Sequence, residues 1–340
     1  MRKLVCLITL LLIFSINSQA CVIFIYHKVG DNRTPSTNVS IKLFKEQMAY
    51  LKKHAYNVIS LKRLVYFLKN KKDLPKKCVV LTFDDGYKSI YKNAFPVIRK
   101  YGYPITVFLP TEAIEKHYPD YLTMQQIRQM MDYGVDFESH SYSHPRFTSP
   151  PKGLIGENYY NWIKSDIQRS INFFIKHFNY RPYAFAIPYG DYNKTVIKVA
   201  KDLGFTAILT QDATNLDKNT PLWLLPRQPI LGKYWSTMDH FKEVLNEGYI
   251  DVRKRIPDIG ICPKKPRIIG GVIENIKKYR KNSFMVYVSE LGWKKSVVKG
   301  NLVYIKINKP LTKKIERVGI LAKTQSGKLC KTLWMIEPVQ

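Results

Sequence analysis

Cys78-Val79-Val80-Leu81-Thr82-Phe83-Asp84-Asp85-Gly86-Tyr87 is an apolar run that ends abruptly at two adjacent carboxylates and a glycine. A short apolar run closed by turn residues predicts a buried strand of a parallel sheet. Both acids then sit at its C-terminal end, where open α/β sheets and parallel barrels bind ligands. Two like charges side by side repel unless a cation holds them. Asp and Gly are also ordinary turn residues, so the stretch taken alone fits a solvated turn equally well.

The same pattern opens the chain. Val22 to Tyr26 is apolar and delivers His27, followed by a polar loop. Ser40 and Ser60 each precede a helical pattern, with Ile41, Phe44, Met48 and Leu51 inward in the first and Leu61, Leu64, Val65 and Leu68 in the second. After Gly86 a helix is expected as far as Tyr101, bent or restarted at Pro96 and ended by Gly102. Strands at Ile105–Leu109, Val135–Ser139, Ala184–Ile187 and Thr206–Leu209 alternate with helices at Thr123–Tyr133, Trp162–Phe178 and Lys194–Leu203. About seven strand–helix units predict a parallel sheet, and we favour an α/β fold closed as a (β/α) barrel.

The pattern changes after Asn246. Asp251 to Pro266 is charged and Pro-rich and reads as a linker; beyond it, strands at Phe284–Val288, Leu302–Ile307, Arg317–Ala322 and Thr332–Ile336 follow one another without helices. The expected organisation is a leader at 1–20, a main domain at 21–250, a linker at 251–282 and a small antiparallel β-sandwich at 283–340.

Arg2 and Lys3, the apolar run Leu4–Ile16 and Asn17-Ser18-Gln19-Ala20 have the layout of an export signal cut after Ala20. The protein is therefore expected in the periplasm or at the cell surface, and no later run is long and apolar enough to span a bilayer. Cys21 follows the cut directly, where a lipoprotein carries its anchor. Ser18, however, stands where such signals have an aliphatic residue, so a lipid-free chain is preferred. Of the remaining cysteines, Cys78 reads as a small core residue, and Cys262 and Cys330 are free to pair in an exported chain. The formal charge of +29 comes mainly from scattered lysines. With no nucleic-acid-binding motif beside it, that excess points to an anionic envelope surface or a polysaccharide-export component as partner, not to nucleic acid.

Glu138-Ser139-His140-Ser141-Tyr142-Ser143-His144-Pro145 supplies the missing cation holder. Two histidines four apart are weak evidence by themselves. With Asp85 they make one carboxylate and two imidazoles, a three-ligand set with open positions, as in catalytic zinc sites. The set also accepts cobalt, nickel or manganese. Asp84 is then left free as a base. In Phe185-Ala186-Ile187-Pro188-Tyr189-Gly190-Asp191-Tyr192, Pro188 and Gly190 set an irregular turn that can aim the Tyr189 backbone N–H at a developing oxyanion, although a plain turn explains them as well. Tyr87, Tyr142, Phe147, Tyr189, Tyr234 and Trp235 are candidates to stack on sugar faces.

Together these motifs resemble the polysaccharide deacetylases of carbohydrate esterase family 4, whose signature is Thr-Phe-Asp-Asp-Gly, His-x-x-x-His and a Pro-Tyr turn. The resemblance covers Val22 to Leu231. Ile25-Tyr26-His27-Lys28-Val29 resembles the branch that deacetylates poly-β-1,6-N-acetylglucosamine, in which the acid histidine comes from the first strand. The resemblance implies a distorted (β/α) barrel, Asp84 as general base, Asp85, His140 and His144 as metal ligands, and His27 as general acid. Many members carry a base-orienting arginine three residues before the turn tyrosine, where this chain has Ala186. Arg227, in Leu225-Pro226-Arg227-Gln228-Pro229, is the candidate substitute, with Arg181 second.

The leading expectation is a metal-dependent N-deacetylase acting on an exported N-acetylglucosamine polymer. Peptidoglycan or chitin oligomers are the alternative substrates, and a non-catalytic envelope carbohydrate-binding protein is the rival class.

Overall fold

The computed structural model describes residues 20–339. The expected export signal therefore lies outside the described residues, apart from Ala20. Among the described residues no helix is long and apolar enough to cross a membrane.

Two six-residue strands form the centre: β1 (Cys21–Tyr26) and β2 (Cys78–Phe83), parallel and in register from Cys21↔Cys78 to Tyr26↔Phe83. Every residue in both is buried, because helices cover one face and the barrel interior fills the other. β3 (Ile105–Leu109), β4 (Asp136–Ser139), β5 (Ala184–Ala186) and β6 (Ala207–Leu209) follow on one side of β2, and β7 (Gln228–Pro229) flanks β1. The segment 225–229 stitches the sheet's two ends together. Leu225 bridges Leu209 of β6, and Gln228 and Pro229 pair with Phe24 and Ile25 of β1. So short a stitch makes the barrel a distorted one.

Phe24 and Tyr26 of β1 pack outward against Phe44 and Met48 of the helix Ile41–Lys53, which Ser40 caps. Ile23, Val80, Phe108, Ala184, Ala186, Ala207 and Leu225 form a separate interior cluster. Between Gly86 and Tyr101 the helix expected to bend or restart at Pro96 does restart: a π-helical turn, Ile90–Ala94, is followed by an α-helix from Phe95 that ends at Gly102 in the left-handed region. Pro96 at the second position of that α-helix offers no N–H to the preceding turn, which accounts for the restart.

The expected linker proves to be structured. Residues 251–282 carry β9 (Val252–Ile256), β10 (Gly260–Pro263) and β11 (Ile268–Ile273), just after the short β8 (Gly248–Tyr249). Their basic sequence hid them. β9 sits at the edge of its sheet with Arg253 and Lys254 turned to water, a composition that suits an edge strand and masks the apolar alternation. Then come β12 (Met285–Val288), β13 (Gly292–Lys295), β14 (Val297–Lys299), β15 (Leu302–Lys306), β16 (Glu316–Lys323) and β17 (Leu329–Val339). One sheet runs β8-β17-β16-β12-β13 with β10 also on β17, and the other runs β9-β11-β15-β14. The first sheet is mixed, not antiparallel throughout, since β8 and β10 lie parallel to β17. These sheets share a core with the barrel: one cluster joins Ile163, Ile167 and Ile171, Phe185 and Ile208 to Val286, Val318, Ile320, Trp334 and Met335.

The cysteine expectations are corrected by register. Opposite positions on neighbouring strands bring Cys21 and Cys78 to a Cα separation of 4.6 Å, and they form a disulfide. The Cys21 sulfur is thereby unavailable to carry a lipid. Cys262 and Cys330 are free and buried. Cys262 faces Pro338 of β17, eight residues beyond Cys330, about 26 Å along a strand.

Candidate active site

The residues singled out from the sequence gather at the C-terminal rim of the barrel. His27 leaves β1, Asp84 and Asp85 leave β2, His140 leaves β4, and Tyr189 lies just past β5. Asp84 is fully buried, its backbone N–H donating to the Tyr26 carbonyl at 2.9 Å. Arg227, also fully buried, grips it with two bonds: Nη1 to Oδ1 at 2.6 Å and Nη2 to Oδ2 at 2.8 Å. Nη1 also donates to Thr82 Oγ1 at 3.3 Å and Nε to the Thr210 carbonyl at 2.9 Å. Burial alone pushes the Asp84 carboxyl up; the Arg227 charge and hydrogen bonds, with His140 and His27, outweigh it and hold the group at about 2. Asp84 is therefore an anion at neutral pH. Arg181 donates instead to the Leu203 carbonyl, away from Asp84.

One donor atom from each of Asp85, His140 and His144 lies within 4.8 Å of the others. His140 Nδ1 stands 2.7 Å from the Ala186 carbonyl, which can only accept, so Nδ1 is the donor of that bond and Nε2 is the atom turned toward the other ligands. That Nε2 lies 3.1 Å from His144 Nε2 and 3.5 Å from Asp85 Oδ1, with His144 Nε2 to Asp85 Oδ1 at 3.3 Å. Burial, then the neighbouring His140, lowers the His144 pKa to about 4, so its imidazole is neutral. Two imidazoles and a carboxylate crowding one point fit a divalent cation, and the backbone-anchored His140 has the support usual for a metal-bound histidine.

Left-handed backbone recurs around this cluster. Asp85, Ser141, His144 and Tyr189 all have φ between 55° and 68°, a region that non-glycine residues rarely enter and that clusters at functional sites. The His144 loop is held down by Asp166 on the helix Gly156–Phe178, whose carboxylate accepts from the Tyr142 and Ser143 N–H groups at 3.0 and 3.1 Å and from the Ser143 hydroxyl. The sequence carried a usable signal for Asp166, which shares the buried helix face of Ile163, Ile167 and Ile171. A buried acid in an apolar stripe needs a partner. Tyr87 is a further support, since burial and then the Asp85 charge raise its phenol, leaving the O–H a donor toward Asp85.

The aromatic candidates divide by exposure. Tyr189, Tyr234 and Trp235 are exposed, and the Tyr189 ring lies against His144 and beneath Arg146, which pairs with Asp191. Phe147 is fully buried, and Tyr142 is buried with its hydroxyl on Glu115, so neither can stack on a sugar. His27 is nearly buried, close enough for its charge to weigh on both Asp84 and His144, and its Nδ1 has no hydrogen-bond partner among the described residues.

A family profile described as polysaccharide deacetylase matches residues 71–208, which hold Asp84, Asp85, both histidines and Tyr189. The chain is 32% identical over 197 residues to a poly-beta-1,6-N-acetyl-D-glucosamine N-deacetylase of Staphylococcus epidermidis, covering 55% of this chain and 68% of the relative. The chain belongs to the polysaccharide deacetylase family. A Staphylococcus aureus protein of the same name is 27% identical over 208 residues, covering 60% of this deacetylase and 71% of the relative. Among solved structures, the Streptococcus pyogenes deacetylase PplD in complex with acetate superposes with a TM-score of 0.59 at 25% identity, over 66% of this chain and 98% of that one. IcaB from Ammonifex degensii, at 23% identity and a TM-score of 0.57 over 67% of this chain and 96% of its own, shares the fold. As a polysaccharide deacetylase the protein is a hydrolase of N-acetylated sugars.

Proposed function

We propose that the enzyme is a metal-dependent N-deacetylase that removes acetyl groups from N-acetylglucosamine units of an exported polysaccharide, poly-β-1,6-N-acetylglucosamine in the first instance. The observation that carries the reading is the ionised, Arg227-clamped Asp84, whose Oδ2 lies 3.6 Å from His140 Nε2 beside the three-ligand cluster. The substrate follows the staphylococcal relatives and the first-strand histidine.

Amide hydrolysis needs an activated water, a stabilised oxyanion and a proton for the departing amine. Asp85, His140 and His144 would hold a divalent cation, zinc by preference, which would supply Lewis acidity for the carbonyl and the water. Asp84 accepts the proton of the attacking water, and Arg227 keeps its carboxylate charged and pointed while doing so. The Tyr189 N–H, set by the strained turn, donates to the oxyanion. His27, entering from the neighbouring strand, protonates the leaving amine. Tyr189 and the exposed Tyr234 and Trp235 offer apolar faces to the polymer. The leader expected at 1–20 would export the enzyme, and its positive charge suits an anionic envelope surface or an export component.

The test is acetate release from β-1,6-linked N-acetylglucosamine oligomers, with and without chelator. Activity that chelation removes and metal restores is expected, together with a loss of about 10²–10⁴-fold in Asp84→Asn at unchanged metal content. Full activity in that variant would sink the mechanism. Faster turnover of peptidoglycan or chitin oligomers would reassign the substrate.

A further inference from the structure

The barrel residues that hold the base are themselves held by the C-terminal sheets. Arg227 depends on the turn at 210–212 in two ways: its N–H donates to the Asp212 carbonyl at 3.2 Å, and its Nε donates to the Thr210 carbonyl. This turn is closed on itself, the Thr210 hydroxyl lying 3.1 Å from Asp212 Oδ2 and accepting from the Asp212 N–H at 3.2 Å. Asp212 is almost completely buried, and its second oxygen, Oδ1, accepts from Arg317 Nε at 3.2 Å. Arg317 lies on β16, more than a hundred residues away in a sheet outside the barrel.

The turn bearing Tyr189 meets the same support. A Cβ at Gly190 would come within 2.4 Å of Gln211, so the two turns are in direct contact. Tyr192, just beyond, donates its hydroxyl to Asp212 Oδ2 at 2.7 Å, and its N–H points at Met335 Sδ of β17 at 3.4 Å. Arg317 and Met335 thus press on the two limbs of the site from one side.

We propose that Arg317 is a positioning residue for the deacetylation reaction. It neutralises Asp212 and so keeps the 210–212 turn, Arg227 and finally Asp84 in register. The proposal rests on the deacetylase reading above. Without Arg317 a buried carboxylate loses its cation, and the turn must open toward water or rearrange. Both carbonyls that fix Arg227 belong to that turn. A displacement of about 1 Å at a reacting group can cost up to about a hundredfold in rate.

The experiment compares wild type, Arg317→Gln, Arg317→Lys, Asp212→Asn and the Arg317→Gln/Asp212→Asn double variant, each as the full exported chain loaded with metal. Acetate release gives kcat and KM, metal content is measured, and assays are run at least 15 °C below each melting temperature. The expected result is a fall in kcat of about tenfold or more in Arg317→Gln, with KM within twofold and metal content unchanged. Arg317→Lys should recover most of the rate, and the double variant should be no slower than Asp212→Asn alone. A melting temperature that falls while kcat of the folded protein stays at the wild-type value would overturn the proposal, as would losses that multiply in the double variant. If Arg317→Gln does not fold, Asp212→Asn still decides: wild-type kcat in that variant, which lacks the carboxylate that Arg317 holds, defeats the proposal. An inactive wild type defeats the deacetylase reading and this proposal together, whereas an active wild type matched by Arg317→Gln defeats the proposal only.

Discussion

Asp84 and Arg227 form a buried pair in which each partner justifies the other. Removing one side of such a pair leaves an uncompensated charge and costs about 3–5 kcal/mol. Arg227→Met is therefore expected to lower both the melting temperature and acetate release, while Arg227→Lys, one point charge in place of a two-pronged donor, keeps more stability than activity. Calorimetry and acetate assays on both variants check this. Glu138 makes a pH-dependent case. Burial, then the nearby Asp136, raises its pKa well above the ordinary glutamate value, although Oε2 accepts from the Ala184 N–H at 2.8 Å. In the unfolded chain this carboxyl ionises near its ordinary pKa, so the native state is penalised as pH rises beyond that point. Glu138→Gln should accordingly leave stability unchanged near pH 4 and raise it progressively toward pH 8, as chemical denaturation at several pH values will show. A constant difference across that range would contradict the assignment.

The element that matters most to the proposed metal ligands is the loop from Ser139 to Pro145. Its two left-handed residues, Ser141 and His144, are strained, and Asp166 holds the loop with three hydrogen bonds from a neighbouring helix. Asp166→Ala is expected to weaken metal binding about 10–100-fold without touching a ligand, read by competition with a chromogenic chelator. Unchanged affinity would assign Asp166 a purely packing role. At this scale the sequence was readable where periodicity and caps agree. Ser40 and Ser60 cap the helices they precede, and the apolar positions of those helices face the core. It was misleading where charge covered an edge strand, as at Val252–Ile256.

For the whole molecule, the C-terminal sheets are part of one folded body. Trp334, Met335 and Ile320 share a hydrophobic cluster with Phe185 and Ile208 of the barrel, and Arg317, Lys331 and Glu337 reach Asp212, Glu247 and Asn193. A chain cut at Asp251 is expected to be insoluble or molten, because the cut strips the apolar cover from the helix Gly156–Phe178 and from β5 and β6. Solubility and near-ultraviolet circular dichroism of the truncated protein test this; a soluble, cooperatively unfolding fragment would show that the barrel stands alone.

The sequence by itself determined the parallel core and singled out Asp84, Asp85, His140, His144, His27 and Tyr189 as candidates, at the strand ends that the structure brings to one rim. These signals are local: an apolar run, the residue that ends it, and a spacing of four. Only the tertiary structure decided which arginine faces Asp84, which cysteines join and how the last ninety residues pack on the barrel. Arg227 and Asp84 are 143 residues apart and meet because the segment that closes the barrel also carries the arginine. Cys21 finds Cys78 through strand register, and Arg317 finds Asp212 through the packing of one sheet on another. Such contacts depend on how elements are placed against each other in space, which no local pattern of residues encodes.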